Sequence, residues 1–168
     1  AQPSQVGTIV SKVVRDDGFV IWTLSNGVEV WFERDEEAGD TVNFIYASQG
    51  GRSARDREIY TTSVIAINGM NRSGVGDFNG AQFDSFLRKD SIGVIPFVNF
   101  SHHGVEVFTP KERLADSLNI LFNVTTNANI DQRQLETVAR EQIQQAQRWD
   151  NHSKQALLLF ALREQKRR

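Results

Sequence analysis

The chain holds three histidines, His102, His103 and His152, and no cysteine. Those counts bound its chemistry. A hydrolytic metal site needs at least three N, O or S ligands converging on one ion, with one position open to water. Two histidines on one helix face with a glutamate beside them achieve this, and neither order of such a motif occurs here. His102 and His103 are adjacent at an expected strand end, so they point to opposite faces and do not reach one ion. His152 stands at an expected helix start, where it caps or meets solvent. Cysteine-ligated metals, thiol catalysis and disulfides are excluded. No G-x-S-x-G elbow is present, and a Ser-His-Asp set would have to recruit a histidine that reads as exposed. Gly74-Val75-Gly76-Asp77-Phe78-Asn79 follows an expected helix rather than a strand and lacks the P-loop lysine, so it makes a poor phosphate cradle. The carboxylate clusters Asp16-Asp17 and Asp35-Glu36-Glu37 fall in turns, and nothing sets the separation that paired acid–base work requires. These residues define no self-sufficient catalytic set and no metal site.

The background is that of an ordinary globular protein: 168 residues, 39% hydrophobic and 24% charged. That length fits one domain, able to bury roughly 70% of its unfolded surface. Nineteen Lys and Arg oppose 21 Asp and Glu for a net charge of −2. A nucleic-acid-binding face calls for a basic excess, so no nucleic-acid partner is expected. The longest apolar run, Ala156 to Leu162, falls far short of the roughly 18–20 residues of a membrane span.

The elements that must position any site begin with strands. Gly7 to Val14, Phe19 to Leu24, Val28 to Phe32 and Thr41 to Ala47 are β-branched or alternating runs separated by turn residues. Ser25-Asn26-Gly27 between two of them signals a hairpin of type I′. Val28, Val30 and Phe32 are expected to face the core, as are Trp22, Trp31, Phe44, Phe100 and Phe108. The period then changes to 3.6. A weak capping pair, Ser53 with Asp56, precedes a helix with the stripe Ile59, Tyr60, Ser63, Val64, Ile67 and Met70. A glycine-rich joint (Gly69, Gly74, Gly76, Gly80) leads to a short helix from Asn79 through Leu87. Strands at Val94–Phe100 and Val105–Phe108 follow, the first at a sheet edge because Pro96 lacks a donor. Thr109-Pro110-Lys111-Glu112 reads as a helix start, with the stripe Leu114, Leu118, Leu121 and Phe122. A helix opening at Asp131 buries Leu135, Val138, Ala139, Ile143, Ala146 and Trp149, and a separate last helix covers about 153–164. Residues 1–6 read as a linker or boundary remnant, 7–165 as one module, and 166–168 as a basic tail. Segregated strands and helices predict an α+β fold, a mostly antiparallel β-sheet covered on one face by helices.

In this order the segments resemble the insulinase/pitrilysin family of zinc metallopeptidases over roughly residues 20 to 148. The likeness rests on the L-x-N-G-V-x-V hairpin (Leu24, Asn26, Gly27, Val28, Val30) and the glycine-ended strand at Gly50-Gly51. A strand pair leading through Pro110 into an amphipathic helix, and a second helix beginning near Asp131, complete it. The resemblance implies the mitochondrial-processing-peptidase/insulinase-like metallohydrolase fold. Catalytic relatives carry H-x-x-E-H on the helix after the glycine-ended strand. Here that helix holds no histidine and the motif falls near Ser63 to Ile67. The family's further glutamate ligand is expected near Ile143, with Glu136 and Glu141 on the same helix. By this likeness the chain has no catalytic residue, no metal ligand and no cofactor of its own. It looks like the non-catalytic third of four modules in a bacterial enzyme whose other half holds the zinc, which leaves this chain alone inactive. Implied partners are the other modules of the same polypeptide and a peptide substrate, and the implied setting is the periplasm. Candidate substrate contacts are Asn99, Phe100, Ser101, His102 and His103, by strand addition at an exposed edge. The other role open to such a module is that of a scaffold in a relative that has lost catalysis.

Overall fold

A computed structural model describes residues 7–51, 53 and 57–165, and of 57–61, 64 and 151–165 the backbone alone. The expected linker at 1–6, the basic tail at 166–168 and the cap residue Asp56 lie outside the described residues. The architecture is α+β, with antiparallel sheets and helices against one face of the central one.

That central sheet has the order β4–β8–β7, from β4 (Thr41–Gln49), β7 (Gly93–Val98) and β8 (His102–Pro110). Its register places Phe44, Val107 and Val94 in one row and Tyr46, Val105 and Pro96 in the next row on the same face. Over this face lie α1 (Arg57–Ser73), α2 (Gly80–Lys89) and α3 (Leu114–Thr126), with α1 and α2 against β7 and α3 against β8. Val105, Val107, Ile92, Ile120, Val124 and Val75 form the buried cluster, with Phe44, Met70, Phe83, Phe86, Leu87, Val94 and Leu121 packed around it. Val107 has no exposed surface, and burying a side chain of that size stabilises the fold by about 1.5–3 kcal/mol. Pro96 does stand on an edge strand, as its missing donor demands.

The first three strands stand apart. Ile9–Val14 (β1), Val20–Leu24 (β2) and Glu29–Phe32 (β3) make their own sheet in the order β1–β2–β3. Val28, Val30 and Phe32 are therefore not core: they are 39%, 38% and 48% exposed. Alternation marked an apolar face correctly, but no helix of the described residues covers it. Trp31, Phe100 and Phe108 are likewise exposed, while Phe44 packs on the core as expected. The Asn26-Gly27 turn is not type I′ either. Leu24 and Val28 close a three-residue loop in which only Gly27 takes positive φ, and Asn26 Oδ1 accepts the Val28 N–H at 3.1 Å.

The glycine joint is an ordered ribbon, not a loose hinge. Gly74–Val75 (β5) pairs with Phe78–Asn79 (β6) across a turn at Gly76-Asp77, with Gly74 and Gly76 at φ 114° and 57°. Backbone bonds from Gly76 N to Asn127 O and from Asn129 N to Gly74 O pin the ribbon to the end of α3. Asn79 then caps α2 through a full capping box with Gln82.

The Thr109-Pro110 signal misplaces the next helix start. β8 runs through Pro110, a 3-10 turn spans Lys111–Arg113, and α3 begins at Leu114. Thr109 sits opposite Val42 in the ladder, and its hydroxyl accepts from Ser117 Oγ at 2.6 Å. Because Ser117 faces the sheet, the buried row of α3 is Ser117, Ile120 and Val124, and Leu118 is half exposed. The last two expected helices are one: α4 runs unbroken over Gln132–Gln165. It packs on α1, where Gly69 leaves room for Leu135, and Val138 is buried. Ile143 and Trp149 are exposed at 58% and 67%.

Candidate functional site

Asn99, Phe100, Ser101, His102 and His103 come together at the turn joining β7 to β8 and the first residues of β8. The turn is locked from within. Asn99 Oδ1 accepts the backbone N–H of Ser101 at 3.0 Å and of His102 at 2.7 Å, and Asn99 N donates to His102 O. It is also seated from outside. Gly50 N donates to Ser101 O and Ser53 N to Phe100 O. A Cβ on Gly51 would collide with the backbone of Asn99, Phe100 and His102, so only glycine lets the end of β4 lie this close. Phe100 projects from the tip with 70% of its surface in solvent.

The two imidazoles lie on opposite faces, as their adjacency requires. His102 pairs across to Gln49, and His103 to Ser48 and Val98. Since β8 is the middle strand, the backbone of His103 is flanked on both sides, and strand addition has no free edge there. What this segment presents is side chains. Ser101 Oγ lies 2.8 Å from His102 Nδ1, yet among the described residues no carboxylate hydrogen-bonds that ring, and a nucleophile–base pair needs such an orienting group.

The second candidate region is the face between α1 and α4, where the resemblance would place a metal. Positions 63–67 of α1 read Ser-Val-Ile-Ala-Ile and offer neither imidazole nor carboxylate. Ile143 on α4 is exposed and apolar. Glu136 accepts from Gln132 within its own helix. Glu141 crosses to α1, where Arg72 holds it through two contacts of 3.0 and 2.9 Å. The hydrogen bond from Arg72 draws the Glu141 carboxyl below its ordinary range and raises the guanidinium in turn. A carboxylate so engaged is a structural anion. Among the described residues no three His, Asp or Glu side chains converge as a metal group.

A third region escaped the sequence reading. Between the β5–β6 ribbon, α2 and α3 opens a cleft of about 550 Å³, with Asp116, Asn119, Asn123 and Asn127 along its α3 wall. The visible signal was asparagine repeated every four residues, at Asn119 and Asn123 within α3 and at its C-cap Asn127, since asparagine is a poor helix former.

No protein-family model matches the chain, and no curated protein does. Solved structures do. The chain is similar to the periplasmic protease PqqL from Escherichia coli, at 18% identity and TM-score 0.78 over 90% of this chain and 16% of that one. It is also similar to the ferredoxin protease FusC, solved as a mutant in complex with Arabidopsis ferredoxin, at 21% identity and TM-score 0.68 over 78% and 15%. A protease from Helicobacter pylori aligns at 14% identity and TM-score 0.63, over 78% and 31%. The chain thus spans between about one seventh and one third of the length of these proteins. At such identities the likeness concerns the fold alone: an α+β domain similar to part of each of these proteases. No helix among the described residues is long and apolar enough to cross a membrane.

Proposed function

We propose that the chain acts as a non-catalytic module of a larger zinc peptidase of the insulinase/pitrilysin type, the third of four modules, working in the periplasm. Its task is to form part of the chamber wall around a peptide and to support closure against sister modules, with zinc chemistry supplied from elsewhere in the parent polypeptide. The observation that carries this reading is the α1–α4 face. It has the fold's two facing helices, but aliphatic and hydroxyl side chains at 63–67 on α1, and its Glu141 is committed to Arg72. Ser, Val, Ile and Ala do not polarise water.

Support also comes from the company the fold keeps. The similar solved structures are proteases several times longer than this chain, one of them crystallised with a protein, ferredoxin. In this reading the rigid turn at Asn99–His103 offers Phe100 and the two imidazoles to substrate as side-chain contacts. The acts of this chain are binding and orienting.

The test is direct. The purified chain is assayed for bound metal and for cleavage of fluorogenic peptides, beside the full-length parent. No retained zinc and no cleavage by the chain, with cleavage by the parent, is the expected result. One tightly held zinc per chain, or chelator-sensitive cleavage by the chain alone, overturns the reading. A parent sequence without H-x-x-E-H replaces it with the scaffold role.

A further inference from the structure

We propose that the cleft between the β5–β6 ribbon, α2 and α3 binds an extended polypeptide segment carrying a lysine or arginine next to an apolar side chain. It is a separate surface from the turn at Asn99–His103, and three features of its lining converge on this ligand.

The first is the floor. Val75 and Ile120 are each only 8% exposed, and Phe83 and Phe86 pack beside them at the edge of the core. Phe78 stacks on Phe86 with centroids 5.9 Å apart, yet keeps 47% of its surface in water. A half-covered aromatic pair at the rim of a cleft this size is a seat for an apolar side chain.

The second is the α3 wall. Asp116, Asn119, Asn123 and Asn127 are spaced three and four residues apart, so they share one helix face. Together they run about 16 Å, the length of roughly five residues of extended chain. Asn123 Nδ2 donates to the main-chain O of Asn119, and Asn127 Nδ2 donates to Asn123 Oδ1, so the carboxamides of Asn123 and Asn127 are held in fixed orientations. A carboxamide offers the donor and acceptor of a peptide group. Such a row reads main chain without reading sequence.

The third is charge. Among the described residues, the ionisable ones lining the cleft are Asp77, at the ribbon's turn, and Asp116. Arg113, outside the lining, bonds Asp116 at 3.0 Å but also bonds Asp90 at 3.0 Å, so one guanidinium serves two carboxylates. The mouth keeps an excess of negative charge, which selects a basic side chain and disfavours an acidic one.

This inference rests on the chamber-wall reading only for its biological meaning, to which it adds a substrate class; the binding belongs to this chain alone. The probes are fluorescein-labelled nonapeptides of one sequence, with a central Lys, Gln or Glu flanked by Leu and Phe. Binding is followed by anisotropy and by the side-chain amide resonances of Asn119, Asn123 and Asn127. The Lys peptide is expected to bind about tenfold tighter than the Glu peptide, and to weaken with salt. Asp77→Asn brings that ratio towards one, and Phe78→Ala weakens all three peptides about tenfold. Asp77→Asn lies on an exposed turn and leaves α3 untouched, and circular dichroism verifies both variants. Equal binding of the Lys and Glu peptides, amide shifts confined to residues outside the cleft, or n-butylammonium binding as tightly as the Lys peptide each overturns the proposal. Loss of peptide binding with a parent that still cleaves peptides refutes the cleft and spares the module reading. A parent without peptidase activity does the reverse.

Discussion

Two three-stranded antiparallel sheets meet opposite fates in this molecule. In β4–β8–β7, Val105 and Val107 are buried beneath α1, α2 and α3. In β1–β2–β3, every residue of β1 is exposed, and so is every residue of β3. The exposed sheet is the richer of the two in β-branched and aromatic residues, so strand propensity does not explain the difference. Cover does. Ladder hydrogen bonds give a sheet its shape, but burial against a second layer gives it most of its stability. The uncovered sheet relies on local devices instead. Trp22 stacks on Phe32 at 5.7 Å, Phe19 meets Trp31 edge-on at 6.2 Å, and the Arg15 guanidinium sits 5.5 Å over the Trp31 ring.

The sharpest way to break this contrast is to make the same substitution on both sides of it. Val107→Asp places an unpaired carboxylate in the core at a cost of several kcal/mol, a large share of a typical domain's stability. It is expected to abolish the cooperative melting transition. Val13→Asp, at a position 51% exposed, shifts stability by no more than about 0.5–1 kcal/mol. Thermal melts that fell equally for the two would remove the distinction between the sheets.

A smaller effect tests how the covered sheet holds its roof. Thr109→Val takes the acceptor from the buried Ser117 hydroxyl and is expected to cost about 1–3 kcal/mol in urea titrations. Adding Ser117→Ala should recover most of that loss, since both partners are then apolar. A double variant as weak as the single one would show that the hydroxyl pair does not tie α3 to β8.

Smaller again is Trp31→Ala, which removes the edge contact and the cation–π contact for about 0.5–1.5 kcal/mol. Amide exchange should quicken in β1–β3 and stay unchanged in β8. Equal acceleration in both would mean that the sheets unfold as one unit. The smallest effect is electrostatic. Arg72 lowers the Glu141 pKa, so this pair favours the folded state above the ordinary carboxylate range. That contribution is lost as pH falls through the depressed folded value. Both side chains are about half exposed, which leaves the pair weak and salt-sensitive. The stability gap between wild type and Glu141→Gln should therefore shrink on acidification; a gap that widened would reverse the assignment.

Much of the covered region was legible in the sequence. Alternation located β4 and β8, Pro96 put β7 at an edge, and Asn79 with Gln82 announced α2. The errors have physical causes. Thr109-Pro110-Lys111-Glu112 carries a cap signature, but Thr109 was already claimed by the ladder and by Ser117. Asp150 to Ser153 reads as a break, although without Gly or Pro nothing there stops α4. The β5–β6 ribbon is too short to show any period. Exposure of β1–β3 was not legible, because alternation records that a face is apolar and not whether this chain covers it. The candidate turn at Asn99–His103 was found from its residues, but its place beside the middle strand follows from a pairing sixty positions distant. The cleft was missed because its lining comes from three elements that only the tertiary fold assembles.

That distant pairing also governs how the chain reaches its native state. β4 meets β8 across about sixty intervening residues, a ring whose closure entropy must be met before any of its ladder bonds form. The β7–β8 hairpin needs only a three-residue turn, so it is expected to zip in microseconds and serve as the template on which β4 later anneals. Gly51, which allows β4 to settle against that turn, is therefore expected to matter in the slow step of assembly as well as in the finished structure.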